Sequence, residues 1–136
     1  MLQTNEWIAS IVSTDLAPSL VGEMTDALKA AGWDQVLHLG GGTVDEVVKR
    51  SRFIVIDEWI GGRSAFELFA RLRAENMDSC FLLLIERKAD GNDDTVMSAY
   101  HAGFDMLMMK PFEMAEFLSF AKRIRYHYDE LLNVAK

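Results

Sequence analysis

Residues 53–57 read Phe-Ile-Val-Ile-Asp, a short apolar run that ends on a carboxylate. Such a run, followed by the Gly61-Gly62 turn and a helical pattern from Ser64, is typical of a buried strand in a parallel sheet. In open α/β folds, ligands bind in the crevice outside the carboxyl ends of the strands. Asp57 is therefore a candidate reactive group.

A second charged residue ends another apolar run. Lys110 follows Met106-Leu107-Met108-Met109 and precedes Pro111 and a long helical pattern. Two strand-end charges of opposite sign, each followed by a helix, predict one shared site.

Short apolar runs alternate with helical periods along the chain, which is typical of βαβ units and a parallel sheet. Further strands are predicted at Ile8 to Val12, Val36 to Leu39 and Phe81 to Ile85. Capping boxes predict helices that begin near Thr43 and Ser64, and Pro18 fits the first turn of another helix. The pattern as a whole predicts five strands and five helices in strict alternation.

The composition is that of one globular domain, spanning residues 1–136, with 50% hydrophobic and 26% charged residues. No apolar run approaches the roughly 20 residues of a membrane-spanning helix, and no signal-peptide pattern is present. We therefore expect a cytoplasmic protein that does not associate with a membrane. The net charge of −7 argues against direct binding to nucleic acid. Cys80 lies in an apolar run and is expected to be a core residue.

Two stretches of this sequence resemble the receiver domain of two-component response regulators, which has a CheY-like (flavodoxin-like) fold. The first matching register is residues 53–57 with Gly62, Phe66-Glu67-Leu68 and Arg71-Leu72-Arg73. The second is Ala102-Gly103-Phe104-Asp105 leading to Lys110-Pro111-Phe112. The resemblance implies a doubly wound five-stranded parallel sheet of strand order 2-1-3-4-5 with five flanking helices.

The resemblance also implies phosphoryl transfer to Asp57. A receiver aspartate takes a phosphoryl group from the phosphohistidine of a partner kinase, and Mg²⁺ neutralises the crowded oxygens. Asp57 would be the phosphoacceptor and a metal ligand, and Lys110 would pair with the phosphoryl oxygens. Asp15 and the Trp59 carbonyl oxygen would complete the metal site. The implied partner is a histidine kinase, a phosphotransfer protein or a downstream target, and the domain is not expected to be an enzyme.

Four positions depart from the family's pattern. Leu16 stands where receivers usually have a second acid, so one metal-holding carboxylate is missing. Ile85 replaces the Ser or Thr hydroxyl that holds the phosphoryl group, and Leu107 replaces the aromatic residue that moves with it. Glu86 adds a carboxylate where small residues are common, and its charge would repel a phosphoryl dianion. Mg²⁺ is therefore expected to bind weakly or not at all.

Two hypotheses follow from this mixture of match and departure. In the first, the chain is an atypical or pseudo-receiver that acts as a protein-interaction module, with impaired or altered phosphorylation switching. In the second, it is a working receiver that is phosphorylated on Asp57 with Mg²⁺. Asp57 and Lys110 favour the second hypothesis, and the four departures favour the first. A flavin-binding protein of the same topology is a third alternative, but no phosphate-cradling loop follows the first strand.

The last helix, expected at about residues 112–135, carries an apolar stripe. Its members recur at steps of three and four, and they are Met114, Phe117, Ala121, Ile124, Tyr128, Leu131 and Ala135. At about 1.5 Å per residue the helix is about 35 Å long, so its end is expected to project beyond the sheet. That end is then either a frayed tail or a homodimer or partner contact through Tyr128, Leu131 and Leu132.

Overall fold

A computed structural model describes residues 7–40, 50–75 and 78–135, with side chains described up to residue 130. The strands are β1 (Ile8–Val12), β2 (Gln35–Leu39), β3 (Phe53–Asp57), β4 (Trp59–Ile60), β5 (Arg63–Ser64), β6 (Cys80–Glu86) and β7 (Met106–Lys110). The helices are α1 (Pro18–Ala30), α2 (Ala65–Glu75), α3 (Asp93–Ala102) and α4 (Met114–Ala135). None of the helices in these ranges has the length and hydropathy that crossing a membrane requires.

Five strands form a parallel sheet in the order β2-β1-β3-β6-β7. Counted along the chain, these five strands have the order 2-1-3-4-5, which confirms the doubly wound fold predicted from the sequence. The order reverses at β1, so the crevice that such folds use for ligands lies at the carboxyl ends of β1 and β3. The helix predicted to begin near Thr43 lies outside the described residues.

Both faces of the sheet are covered at its centre, which explains why β3 and β6 are almost continuously apolar. Successive side chains of a strand point to opposite faces, so each strand contributes to two core clusters. On one face, Val55 and Leu82 pack with residues of α1 and α4. On the other face, Ile56 and Ile85 pack with residues of α2 and α3.

The sequence analysis did not predict the short β4–β5 hairpin that directly follows β3. Gly61 and Gly62 form its turn with φ angles of 59° and 81°, in the left-handed region that glycine adopts without a Cβ penalty. Ile60 is buried, whereas Trp59 is 46% exposed. The Gly61 N–H donates to Thr14 Oγ1 at 2.9 Å. The hairpin is therefore fastened to the loop between β1 and α1.

Tyr128 on α4 is buried within the chain's own core. Its hydroxyl donates to the carbonyl oxygen of Arg52 at 2.9 Å and also to the carbonyl oxygen of Asp78. The prediction that Tyr128 offers a dimer or partner contact was therefore wrong, because its ring and hydroxyl are already used inside the domain. The side chains of Leu131 and Leu132 lie outside the described part, so their role in an interface stays a prediction.

The same helix also closes the amino end of the sheet. Trp33 Nε1 donates to the Ala121 carbonyl oxygen at 3.1 Å, and Arg125 Nε donates to the Gly32 carbonyl oxygen at 3.1 Å. The guanidinium carbon of Arg125 lies 3.5 Å from the centroid of the Trp7 ring, a cation–π contact. Packing of α4 on the domain thus continues well into its second half.

Candidate functional site

The two strand-end charges singled out in the sequence lie in direct contact. Asp57 ends β3 and Lys110 ends β7, and Lys110 Nζ donates to Asp57 Oδ1 at 2.5 Å. The same oxygen accepts the Glu58 backbone N–H at 3.1 Å. The carboxyl ends of parallel strands meet at one edge of a sheet, and β6 lies between these two strands. Asp57 and Lys110 therefore form one site at that edge.

The pair is unequally exposed to solvent. The Asp57 side chain is 3% exposed and the Lys110 side chain 25%. A buried carboxylate without a cationic partner is strongly unfavourable, so the contact with the Lys110 ammonium compensates for the burial of Asp57. The arrangement can hold a carboxylate in place, but it leaves little of that carboxylate open to solvent.

Asp15 lines a pocket beside Lys110 at this site. It is exposed in the loop after β1, and it lines a pocket of about 410 Å³ together with Glu86 and Lys110. Leu16, the residue that replaces a second acid, is partly buried and lines the apolar wall of the pocket beside Phe112. The loop after β1 thus presents one carboxylate and one apolar side chain to the site.

The proposed Mg²⁺ site would use two carboxylates, Asp15 and Asp57, and the Trp59 carbonyl oxygen. Within residues 7–40, 50–75 and 78–130, no three His, Cys, Asp or Glu side chains are grouped closely enough to hold a metal ion. Asp57 Oδ1, the first proposed ligand atom, already accepts hydrogen bonds from Lys110 and Glu58. A metal ion would have to compete with both donors.

The two positions that depart from the family's switch are apolar and packed. Ile85 is completely buried in the core cluster beneath α2 and α3. Leu107 is partly buried against the same cluster. Neither side chain can donate a hydrogen bond. Glu86 is exposed at the end of β6, one residue beyond Ile85.

Sequence reasoning did not identify Glu58, whose side chain belongs to the site. Glu58 is 5% exposed, and its Oε1 accepts the Glu86 backbone N–H at 3.0 Å. Its own N–H donates to the Leu84 carbonyl oxygen at 2.9 Å, and its carbonyl oxygen accepts the Ala65 N–H at 2.9 Å. The one available signal was an acid placed between two apolar runs, directly after Asp57.

A buried amide fixes the loop on the other side of Glu86. Asn92 Nδ2 donates to the Glu86 carbonyl oxygen at 2.8 Å, and Asn92 Oδ1 accepts the Lys88 N–H at 3.2 Å. The backbone of Glu86 is therefore held on both sides, through its N–H by Glu58 and through its carbonyl by Asn92.

Solved structures show the same fold as this chain. Response regulator DrrB from Thermotoga maritima matches with 19% identity and a TM-score of 0.72 over 90% of this chain. The fold is that of a response-regulator receiver domain. The chain spans about half of DrrB, 54% of its length, but 98% of the isolated DrrB receiver domain, at 19% identity and a TM-score of 0.69. The receiver fold predicted from the sequence is thus confirmed.

A protein described as an adenylate cyclase from Rhodopirellula baltica also matches, with 18% identity and a TM-score of 0.65. That match covers 94% of this chain and 98% of the other. The receiver fold therefore does not by itself assign an activity. No protein-family model and no curated protein sequence matches the chain.

Proposed function

We propose that the chain is an atypical receiver of two-component or phosphorelay signalling, a cytoplasmic protein-interaction module in which phosphorylation switching is impaired or altered. The observation that carries this proposal is the burial of Asp57, whose side chain is 3% exposed. A phosphoryl donor has to approach a carboxylate oxygen, and burial of that oxygen restricts the approach. The module has no catalytic activity of its own in this proposal.

The residues around Asp57 support altered switching as well. A phosphoryl group on a receiver changes the fold through hydrogen bonds that exist only when it is present. Ile85 and Leu107 are apolar and packed in the core, so they supply none of these hydrogen bonds. Output would then depend on contacts with a histidine kinase, a phosphotransfer protein or a downstream target.

Weak or absent Mg²⁺ binding belongs to the same proposal. Leu16 leaves Asp15 as the one carboxylate that the loop after β1 offers to the site. Isothermal titration with Mg²⁺ tests this point on the wild-type protein and on Asp15→Ala. Tight binding that is lost in Asp15→Ala would contradict it.

Intact-protein mass after incubation with acetyl phosphate and Mg²⁺ tests phosphorylation directly. We expect no gain of a phosphoryl group, with the DrrB receiver domain as the positive control. That domain is described as activated by BeF3, so the fluorescence of the exposed Trp59 on adding beryllofluoride gives a second readout. A gain of one phosphoryl group that is absent in Asp57→Ala would overturn the impaired form of the proposal.

The alternative is a working receiver that is phosphorylated on Asp57 with Mg²⁺. The Asp57–Lys110 contact favours it, because an ammonium group at this position could pair with phosphoryl oxygens. Under this alternative the mass gain of one phosphoryl group appears in the wild type and not in Asp57→Ala. The next experiment would then be a search for the cognate kinase.

A homodimer or partner contact through the end of α4 is proposed without Tyr128, which the core already holds. Leu131 and Leu132 would have to carry it. Light scattering on the wild type and on the Leu131→Asp, Leu132→Asp double variant tests this contact. Equal mass for both, at the monomer value, would exclude the homodimer.

A further inference from the structure

The Glu58 carboxylate accepts a backbone hydrogen bond at the edge of the sheet where Asp57 and Lys110 meet. Glu58 is 5% exposed, and its Oε1 lies 3.0 Å from the backbone nitrogen of Glu86. Buried backbone N–H groups are nearly always paired, with protein, water or ligand. In this chain the partner of the Glu86 N–H is a negatively charged side chain of the chain itself.

The Glu86 N–H lies at the same edge of the sheet as the Lys110 ammonium. Glu86 ends β6 and is aligned with Lys110 on β7, while Leu84, two residues earlier, is aligned with Asp57 on β3. The Glu86 N–H and the Lys110 ammonium are thus donors at the same edge, on strands that follow β3 in the sheet. Backbone N–H groups and lysines aimed at one point are the usual means of stabilising an oxyanion.

The Glu58 backbone also contacts the Asp57 side chain. Its N–H donates to Asp57 Oδ1 at 3.1 Å, so the two residues turn their polar groups to one edge. An oxyanion carried by Asp57 would be at the edge of the sheet where Glu86 ends β6, two residues beyond the position aligned with Asp57. The Glu58 carboxylate already accepts the Glu86 N–H, and its charge adds to the repulsion that an incoming dianion meets.

We propose that the Glu58 carboxylate is a built-in anion. It accepts the hydrogen bond of the Glu86 backbone N–H, which a phosphoryl group or another oxyanion at Asp57 would otherwise accept. This inference deepens the proposed function and rests on it, since it explains the impaired phosphorylation by the Glu58 side chain. Glu58 acts as a positioning residue here, because it controls whether the Glu86 N–H is available.

The test uses the Glu86 amide resonance in ¹⁵N-labelled protein, titrated with inorganic phosphate. In the wild type the resonance stays in place, because its N–H is already held. In Glu58→Ala it moves and saturates with phosphate, with an affinity at least about tenfold above that of the wild type. In Glu58→Gln the amide oxygen can still accept but the charge is gone, so the movement is smaller. Glu67→Ala, which removes an exposed glutamate from α2, behaves like the wild type.

Each outcome decides for or against the role of Glu58. Movement of the Glu86 resonance in the wild type overturns the proposal, whatever the variants do. A lack of response in both Glu58 variants overturns it as well, and if Glu58→Ala does not fold, Glu58→Gln and the wild type decide. Acetyl phosphate labelling of the same proteins separates the two proposals. Labelled wild type contradicts impaired phosphorylation and with it the blocking role of Glu58, whereas unlabelled wild type with unresponsive Glu58 variants contradicts the built-in anion alone.

Discussion

Arg73 on α2 and Asp105, just before β7, form a 2.7 Å ion pair at the amino end of β6. Arg73 also donates to the carbonyl oxygens of Ser79 at 2.9 Å and Gly103 at 3.1 Å. Asp105 Oδ2 accepts the Phe81 N–H at 2.8 Å, and the guanidinium carbon of Arg73 lies 4.5 Å from the centroid of the Phe81 ring. The Arg73 side chain of α2 thus links the segments that precede β6 and β7, at the end of the sheet opposite Asp57.

Replacing Arg73 with Ala should lower the free energy of unfolding by about 2 kcal/mol, because several charge-assisted hydrogen bonds are lost together. Urea denaturation followed by circular dichroism measures the change. Arg71→Ala is the matched control, since Arg71 lies on the same helix and is exposed, and its effect should stay within about 0.5 kcal/mol. Equal losses in the two variants would show that the contacts of Arg73 add nothing to stability.

Tyr128→Phe should destabilise the fold by about 1–3 kcal/mol, because the carbonyl oxygens of Arg52 and Asp78 lose a buried donor. The apolar ring is kept, so the loss isolates the hydroxyl group. Tyr126→Phe, at a position that is 63% exposed on the same helix, should have no measurable effect. An unchanged midpoint for Tyr128→Phe would mean that water replaces the hydroxyl.

Lys110→Met should cost on the order of 3 kcal/mol, because it leaves the buried Asp57 carboxylate without its cation. The double variant Asp57→Asn, Lys110→Met should recover most of this loss, since no uncompensated charge remains. A double-mutant cycle of unfolding free energies measures the coupling between the two residues. Additive losses would contradict a stabilising ion pair at the site.

The Cys80 thiol should be unreactive and should make the fold sensitive to alkali. Burial raises the pKa of Cys80 from 9.0 to about 12, with a further increase from Asp105 and an opposing effect of Arg73. The unfolded chain loses this proton near pH 9, whereas the folded chain keeps it to about pH 12. The free energy of unfolding should therefore fall as pH rises through this range.

Cys80→Ala is the variant that checks this pH dependence. Its free energy of unfolding should fall less steeply from pH 9 to pH 12 than that of the wild type. Burial also raises the pKa of Tyr128, so Tyr128→Phe should reduce the slope at still higher pH. At pH 8 iodoacetamide should label Cys80 far more slowly in the folded protein than in urea, and equal rates would contradict the burial argument.

The positions of the main strands could be predicted because both faces of this sheet are covered, whereas the strand order was implied by the family resemblance. Runs such as residues 53–56 are then apolar at every position, and the helices between the strands carry recognisable starts at Pro18 and Ser64. The hairpin of β4 and β5 could not be found in this way. Strands of two residues are too short to show a period, so Gly61-Gly62 was interpreted as a turn alone.

The two residues that the sequence analysis misjudged depend on contacts between distant parts of the chain. An apolar stripe with steps of three and four has the same sequence pattern whether the helix packs on its own domain or on a partner. Tyr128 could therefore be assigned either to the core or to an interface. Glu58 was overlooked because its acceptor role depends on the N–H of Glu86, 28 residues further along the chain. Only the strand register of β3 and β6 brings the two together.

The contacts of α4 at the amino end of the sheet determine when the domain can fold during synthesis. Trp7 and Trp33 obtain partners from Arg125, Ala121 and Tyr128, which lie 88 or more residues further along the chain. Until these residues are made, a nascent chain would have only the earlier contacts of the two rings, with each other, with Arg52 and with Phe53. Complete packing of the first two strands therefore depends on translation of α4.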